Sequence, residues 1–374
     1  MSNIKKVIVN GRERHISGFK KQAYDIRDTL YHFRSTPALV GAANVTSYNL
    51  LQYNLPVVDQ LTIGSCASCA FTGIAGINEN VAKKIKTQKP IEAGYPQATL
   101  TPNITSKVQL STDGKTLSFS GTITNFITPQ PVPVTTTQTP VTTPAPVHTT
   151  TPVPVTTQAP ITTPAPTPAP TAPILASRLY EYYNARALEG TTNEDSGSTI
   201  RDVIKAAAQY GVAHESLWPY DITKFEVKPP QSVYNEAASH LVVSYHSIAD
   251  GDLASIKAAI LSNYGVEFGF SVYDSFLSDT VANTGIVPMP NINTETLQGG
   301  HGVCAIGFDD VTQMFLIRNS WGTEWGLLQT GSKAPIFGGV SLTAPGYFLM
   351  PYAYVGNTSL ASDFWVVVSN VLNS

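Results

Sequence analysis

Residues 59–71 read Asp-Gln-Leu-Thr-Ile-Gly-Ser-Cys-Ala-Ser-Cys-Ala-Phe, a polar turn that runs into an apolar segment. The apolar segment continues from Ala67 to Ile77 and predicts a buried helix with Cys66 at its start. Because the N-terminus of a helix stabilises negative charge, a cysteine in this position tends toward the thiolate, its nucleophilic form. The segment therefore predicts a reactive cysteine.

Two downstream motifs supply partners for this cysteine. His301 lies between the small residues Gly300 and Gly302, and Asn319 opens an Asn-Ser-Trp-Gly motif. A thiol, an imidazole and an amide that orients the imidazole are the parts of an acyl-transfer site with a cysteine nucleophile. The other histidines of the chain are predicted to be structural.

Together these motifs resemble those of the papain-like cysteine peptidases, the cathepsin-like family. The spacing between Gln60 and Cys66 fits that family, and the Asn-Ser-Trp-Gly motif continues into Trp325-Gly326. A distant histidine and asparagine downstream of the cysteine are also typical of it. All elements occur in the family's order, which makes the resemblance specific.

The resemblance covers roughly residues 50–93 and 176–350 and implies a fold class. We expect an α+β, papain-like two-lobe fold, with a helical lobe and a small antiparallel β-barrel-like lobe. The substrate would bind in the cleft between the lobes. A long insertion would interrupt the helical lobe.

The resemblance also implies roles for four residues. Cys66 would be the nucleophile, His301 the acid–base partner and Asn319 the amide that orients the imidazole. Gln60 would donate its side-chain N–H to the oxyanion, beside the backbone N–H of Cys66. The expected function is that of a thiol endopeptidase that needs no cofactor and no metal.

Three further residues are implied in substrate binding. Trp321 would cover the contact between the imidazole and its amide from water. Gly197 and Ser198 match the place where the family has paired glycines, whose backbone pairs with the substrate peptide. The serine replaces one of those glycines.

Three departures from the family pattern surround the cysteine. Ala67 stands where an aromatic residue is usual, Ile63 replaces a cysteine that forms a disulfide, and Leu61 replaces the glycine after the glutamine. We expect Ala67 to loosen the packing around the thiol and Leu61 to shift the oxyanion turn. The alternative function is accordingly a catalytically weak or inactive papain-like protein that acts as a binding or structural module.

A second alternative comes from the other two cysteines. Cys66 and Cys69 form a C-x-x-C pair, the pattern of redox proteins or of half a zinc site, and His301 with Cys304 could complete four ligands. Neither possibility explains Gln60 or the Asn-Ser-Trp-Gly motif. Cys69 and Cys304 are therefore predicted to be small buried residues.

The chain is predicted to consist of six segments. They are an N-terminal arm or short pro-like segment (1–50), the first part of the helical lobe (51–94), a β-rich insert (95–128), a Pro/Thr-rich low-complexity linker (129–173), the second part of the helical lobe (174–220) and a β-rich lobe with the histidine and the asparagine (221–374). Two interpretations of the first segment stay open, a surface arm and a short autoinhibitory segment. It resembles the short leader of papain-like proteins from bacteria and large DNA viruses, which lack a long helical pro-region.

The insert and the linker differ sharply in composition from the rest. An Asp113-Gly114 pair flanked by alternating residues predicts a β-hairpin. Residues 129–173 hold fourteen of the 27 prolines and favour extended or unfolded chain. The linker is predicted to be a surface loop, or a stalk that carries O-glycans or binds a surface partner.

Local signals also predict single elements of the two lobes. A helix is expected over residues 177–189, with Gly190 as its end, and another over residues 203–210. A strand is expected over residues 241–245. The Trp218-Pro219-Tyr220 motif fits the family and is expected to be structural.

Charge and hydropathy narrow the expected partners. The net charge is −3 and only 13% of residues are charged, so nothing indicates nucleic-acid binding. No run of eighteen apolar residues predicts a membrane span, and no apolar region follows the N-terminus as in a secretory signal. The expected partner is a protein or peptide substrate, and a cytoplasmic or virion-associated location is favoured over conventional secretion.

Overall fold

The computed structural model describes residues 5–16, 18–22, 25, 28, 30, 45–87, 107–110, 117–120 and 175–368. The chain divides into two compact units, one formed by residues 1–89 with 171–374 and the other by residues 90–170. The larger unit combines helices with antiparallel strands, which is the predicted α+β class. Within the described ranges, no helix is long and apolar enough to cross a membrane.

The helices are α1 (Cys66–Thr87), α2 (Arg178–Glu189), α3 (Ile200–Tyr210), α4 (Gln231–Ala237), α5 (Leu253–Leu261), α6 (Asp279–Thr284) and α7 (Tyr352–Val355). The strands are β1 (Lys5–Val9), β2 (Arg12–Ile16), β3 (Ser47–Asn49), β4 (Lys107–Leu110), β5 (Leu117–Ser120), β6 (Tyr245–Ile248), β7 (Val266–Tyr273), β8 (Leu297–Asp309), β9 (Met314–Arg318), β10 (Gly326–Leu327), β11 (Ile336–Phe337), β12 (Val340–Ser341), β13 (Ala344–Pro345), β14 (Tyr347–Pro351) and β15 (Ala361–Val367).

A seven-stranded antiparallel sheet forms the β-rich part of the larger unit. Its order is β14-β9-β8-β7-β15-β6, and β3 pairs with the end of β8. In the described residues the path ends at β14 and β6 without closing, so the sheet is open and the expected barrel-like shape is not reached. The long central strand β8 carries His301, and β9 leads directly into Asn319.

Helix α1 packs against β7 and β8 on one side and against α2 and α3 on the other. Its first half is buried almost completely, as the apolar run predicted. The two partner helices begin at hydroxyl caps, because Ser177 accepts the N–H of Tyr180 and Thr199 accepts that of Asp202. Gly190 ends α2 in the left-handed conformation, φ 72°. The predicted boundaries of α2 are thereby confirmed.

One predicted strand is misplaced and another was missed. A strand was expected at residues 241–245, but β6 begins only at Tyr245, because the N–H of Val242 donates to Ala207 O at the end of α3. The unpredicted strand β15 lies between β6 and β7. Both errors concern pairing partners that are distant in sequence.

Two β-hairpins lie outside the main sheet. Strands β1 and β2 are joined by Asn10 and Gly11, both with positive φ (51° and 72°), as a two-residue hairpin turn requires. This Asn-Gly signal was overlooked in the sequence. In the smaller unit, β4 pairs with β5, so the predicted hairpin of the insert is confirmed. Its Asp113-Gly114 turn and the 129–173 linker lie outside the described residues.

Candidate active site

Cys66 is the first residue of α1 and follows a tight Gly64-Ser65 turn. Its Sγ accepts the backbone N–H of Gly302 at 3.4 Å. A side chain at Gly302 would have its Cβ only 3.2 Å from Ala67 Cα, so the glycine lets β8 approach the start of α1 closely. The thiol therefore lies beside the strand that carries His301.

The imidazole of His301 is held by an amide and an indole. Its Nε2 lies 2.8 Å from Asn319 Oδ1, and that oxygen also accepts the N–H of Ser320. An amide oxygen only accepts, so Nε2 carries the proton and Nδ1 is the nitrogen with a free lone pair. Trp321 stacks on the ring with centroids 4.9 Å apart, which excludes water from the contact. The Nδ1 atom is buried and makes no hydrogen bond.

Gln60 is fixed from several sides and is fully buried. Its backbone N–H donates to Ser320 O at 2.8 Å, and its Oε1 accepts the Ser320 hydroxyl at 2.7 Å. The Nε2 amide group therefore points to the other side, where it donates to the carbonyls of Ile63 (3.2 Å) and His15 (3.3 Å). One N–H of the predicted oxyanion donor is occupied by a carbonyl of the N-terminal segment.

Two residues that support Gln60 were not predicted from the sequence. Ser320 lies inside the Asn-Ser-Trp-Gly motif, and its position between the asparagine and the tryptophan was the available signal. Tyr220 donates its hydroxyl to Gln60 O at 2.7 Å and lies 2.5 Å from Ser65 Oγ. The motif that contains it, Trp-Pro-Tyr, fits the family, but the sequence does not indicate which loop it contacts.

Residues 5–16 and 18–22, part of the predicted 1–50 segment and called the arm from here on, lie across this site. Ser198 N donates to Gly18 O at 2.8 Å, and Lys20 N donates to Ser198 O at 3.2 Å, a parallel pairing around Phe19. Gly197 has φ 69°, and a Cβ there would lie 2.3 Å from Gly18 O. The backbone edge that was predicted to pair with substrate therefore pairs with the arm.

The ring of Phe19 fills a recess on the sheet. A Cβ added to Gly269 would lie 2.1 Å from Phe19 Cζ, and one at Gly300 would lie 3.0 Å from Phe19 Cδ1. Only glycine at these two positions leaves room for the ring. The recess thus accepts a bulky apolar side chain next to His301.

Ion pairs anchor the arm on both sides of the site. The guanidinium of Arg14, only 4% exposed, donates to both Asp59 carboxylate oxygens (2.8 and 3.1 Å) and to Trp321 O at 2.8 Å. Lys20 Nζ lies 2.5 Å from Glu189 Oε2. The arm is therefore tied to the turns that carry the glutamine and the tryptophan.

Burial acts on Cys66 and His301 in the direction of neutrality. It raises the pKa of Cys66 to about 12, although the N–H of Gly302 works in the opposite direction. It lowers the pKa of His301 to about 4, opposed by the hydrogen bond to Asn319. Burial therefore favours a neutral thiol and a neutral imidazole at pH 7.

We expect the free energy of unfolding to fall as the pH drops from about 6.5 to about 4. Burial lowers the pKa of His301 from 6.5 to about 4, so in this window the unfolded chain binds a proton that the folded chain does not. This contribution to the free energy of unfolding is complete above about pH 6.5 and is lost by about pH 4. Its size is on the order of a few kcal/mol. Urea unfolding at several pH values, with His301→Gln as the comparison, measures it. Equal losses in the two proteins would contradict the assignment.

The three departures around the cysteine have distinct structural outcomes. Leu61 has φ 55°, a conformation that favours glycine, and its N–H donates to Asp59 Oδ1 at 2.8 Å. Ile63 packs with Leu179 and Tyr182 instead of forming a disulfide. Ala67 is fully buried against β8. Apolar contacts therefore replace the missing bridge.

The remaining two cysteines are buried and free, as predicted. In the part of the chain that the structure describes, Cys66, Cys69, His301 and Cys304 do not converge into a metal-binding group. The potential ligands that do converge there are His214, Glu236 and His240. Sequence reasoning treated both of these histidines as structural.

The structure thus brings Cys66, His301, Asn319, Gln60 and Trp321 into one site, and it places Gly197 and Ser198 beside it under the arm. Comparison with known proteins is consistent with this geometry. A family model described as papain family cysteine protease matches residues 189–330. The solved structure of xylellain, a cysteine protease from Xylella fastidiosa, has a TM-score of 0.59 and 27% identity over 94% of this chain and 96% of that one.

Two curated proteins are also similar in sequence. An uncharacterized peptidase C1-like protein of Acanthamoeba polyphaga mimivirus is 43% identical over 200 residues, which are 52% of this chain and 58% of that protein. Cysteine proteinase 2 of Entamoeba histolytica is 26% identical over 139 residues, 36% of this chain and 40% of that protein. The chain thus spans about half the length of the curated relatives it matches.

Proposed function

Because the chain belongs to the papain family of cysteine proteases and has a papain-like α+β fold, we propose that it is a thiol endopeptidase acting through Cys66, His301 and Asn319. The observation that carries the proposal is the 2.8 Å contact between His301 Nε2 and Asn319 Oδ1 beside a cysteine at a helix N-terminus. This contact leaves Nδ1 of the imidazole free to exchange a proton with the thiol.

The reaction follows from the chemistry of these groups. Nδ1 of His301 takes the proton of Cys66, and the thiolate attacks the peptide carbonyl. The imidazolium then protonates the leaving amine, the C–N bond breaks, and a thioester with the enzyme remains. Water deprotonated by the same imidazole hydrolyses the thioester and regenerates the thiol. Throughout the reaction Asn319 Oδ1 accepts the hydrogen bond from the Nε2 N–H group, which stabilises the imidazolium.

Gln60 stabilises the negative charge that develops on the carbonyl oxygen. Its Nε2 is oriented by the hydrogen bond between Ser320 Oγ and Oε1, and the backbone N–H of Cys66 is the second donor. In the structure this Nε2 donates to His15 O. A substrate carbonyl and the arm therefore compete for the same donor.

We infer that the arm holds the enzyme in a latent form. It occupies the backbone edge of Ser198, the recess at Gly269 and one N–H of Gln60, all of which a peptide substrate would need. Burial in this arrangement favours the neutral forms of Cys66 and His301. Of the two interpretations of residues 1–50, the autoinhibitory one is favoured by these contacts.

The test is labelling with an epoxysuccinyl thiol-protease inhibitor at pH 6, with peptide hydrolysis followed in parallel. Mass spectrometry on the protein without residues 1–22 should find one adduct, and the same protein carrying Cys66→Ala should show none. Cys69→Ala, which removes a buried cysteine of the same helix, is the matched control and should keep the adduct. Failure of a folded, arm-free protein to react would overturn the peptidase and leave a papain-shaped binding module.

A further inference from the structure

Three side chains outside the catalytic cleft converge on one point. His214 follows α3, Glu236 lies in the last turn of α4, and His240 follows that helix. One ligand atom from each lies within 4.8 Å of the other two. His240 has a side-chain exposure of 9%, and the other two are about one-quarter exposed, so the group sits just beneath the surface.

The distances within this group match those between ligands of a tetrahedral metal ion. Glu236 Oε1 lies 3.3 Å from His214 Nδ1 and 3.1 Å from His240 Nε2. With zinc–ligand bonds of about 2.0–2.1 Å, neighbouring ligands of a tetrahedral ion lie about 3.3 Å apart. Distances of this size also occur in hydrogen bonds. The direction of the contacts therefore decides between a metal site and ordinary hydrogen bonds.

The direction of the contacts speaks against ordinary hydrogen bonds. Although two imidazole nitrogens lie close to it, the buried Oε1 of Glu236 makes no hydrogen bond with either. A buried carboxylate oxygen that accepts no well-directed hydrogen bond is costly. A cation at the centre of the three atoms would satisfy all of them at once.

The surrounding backbone holds the group in place without an ion. The N–H of His214 donates to the other carboxylate oxygen of Glu236 at 3.3 Å, which turns Oε1 toward the imidazoles. The N–H of Val212 donates to His240 O at 3.1 Å and fixes the two segments against each other. The two imidazole rings lie 5.0 Å apart, inclined by 30°.

We propose that His214, Glu236 and His240 form a zinc-binding site that ties the segment after α3 to the end of α4. Two imidazoles and one carboxylate suit zinc, whereas calcium and magnesium prefer oxygen ligands alone. Water would complete the tetrahedron, because the partial exposure of His214 and Glu236 leaves an open side. The site shares no residue with the catalytic group.

The experiment uses the full chain carrying Cys66→Ala, so that the catalytic thiol cannot bind the metal. After loading with zinc sulfate and gel filtration, the protein should retain one zinc per chain, measured by atomic absorption, and its Tm should rise relative to the chelated form. Cobalt(II) in place of zinc should give the visible absorption of a tetrahedral ion. Magnesium should give neither effect.

His214→Gln and His240→Gln, each added to Cys66→Ala, should weaken zinc binding by at least about 100-fold. Loss of an outer-shell partner alone costs up to about 100-fold, and these residues are direct ligands. His246→Gln is the matched control and should bind zinc normally. Glu236→Gln, close in shape to the natural residue, covers the possibility that a histidine variant fails to fold. Zinc that stays bound with unchanged affinity in all three variants, or a parent that retains none, would overturn the proposal.

Discussion

Removal of residues 1–22 is expected to accelerate alkylation of Cys66 at pH 7 by up to about 1000-fold. Burial raises the pKa of this thiol from 9.0 to about 12, and complete reversal of that shift would raise the thiolate fraction at pH 7 about a thousandfold. The thiolate is the reacting species, so the rate of alkylation follows its population. Opening the cleft also gives the reagent access to a side chain that is fully buried in the latent form.

Point variants in the arm show whether its docking, rather than its mere presence in the chain, protects the thiol. Arg14→Ala removes the contacts to Asp59 and Trp321 and should release much of the block. Arg12→Ala is the matched control, because its side chain is about half exposed and pairs only with Glu324 in the described residues. Phe19→Ala should act like the first variant, since it empties the recess at Gly269.

The measurement is the second-order rate of iodoacetamide labelling, with circular dichroism as the check on folding. A synthetic peptide of residues 5–22, added to the truncated protein, should slow the labelling again. Equal rates in the full-length and the truncated protein, both folded, would contradict the latent-form proposal. They would leave the arm as a surface segment without influence on the thiol.

Gln60→Ala, introduced into the arm-free enzyme, should lower kcat by about 100- to 1000-fold. Removal of one oxyanion donor costs about 2.7–4 kcal/mol of transition-state stabilisation. KM should change little, because the donor acts on the charge that develops in the transition state rather than on the bound substrate. Steady-state hydrolysis of a fluorogenic peptide measures both constants.

Two control variants show whether the effect comes from the amide group itself. Ser320→Ala removes only the hydroxyl that holds Gln60 Oε1, so it should cause a smaller loss of kcat. Gln52→Ala alters a surface glutamine paired with Lys84 and should leave both constants unchanged. An increase in KM at constant kcat for Gln60→Ala would assign the residue to substrate binding and contradict its role at the oxyanion.

The sequence predicted the parts of the site that motifs encode. Cys66 at a helix start follows from the apolar run after a Gly-Ser turn, and Asn319 and Trp321 belong to one short motif. Helices α2 and α3 were predictable because their caps are local, as Ser177 and Thr199 show. Local chemistry is visible in a single sequence.

Pairing over long distances in the chain was not predictable. The contact of Phe19 with Ser198, the open edge of the sheet and strand β15 all depend on which distant backbones meet. The convergence of His214 with His240 is similarly invisible, since neither residue belongs to a recognisable metal motif. The raised pKa of the Cys66 thiol comes from burial and could not be inferred from a helix N-terminus alone.

The order in which the parts of the cleft leave the ribosome has a consequence for the cell. Cys66 and Gly302, which meet in the site, are 236 residues apart in the chain. At about 5–20 residues per second, the histidine strand emerges roughly 12–50 s after the nucleophile. The arm is synthesised before either of them and is already present when the catalytic groups first come together. If the arm inhibits as proposed, a nascent chain that folds in this order exposes no active cleft to its neighbours.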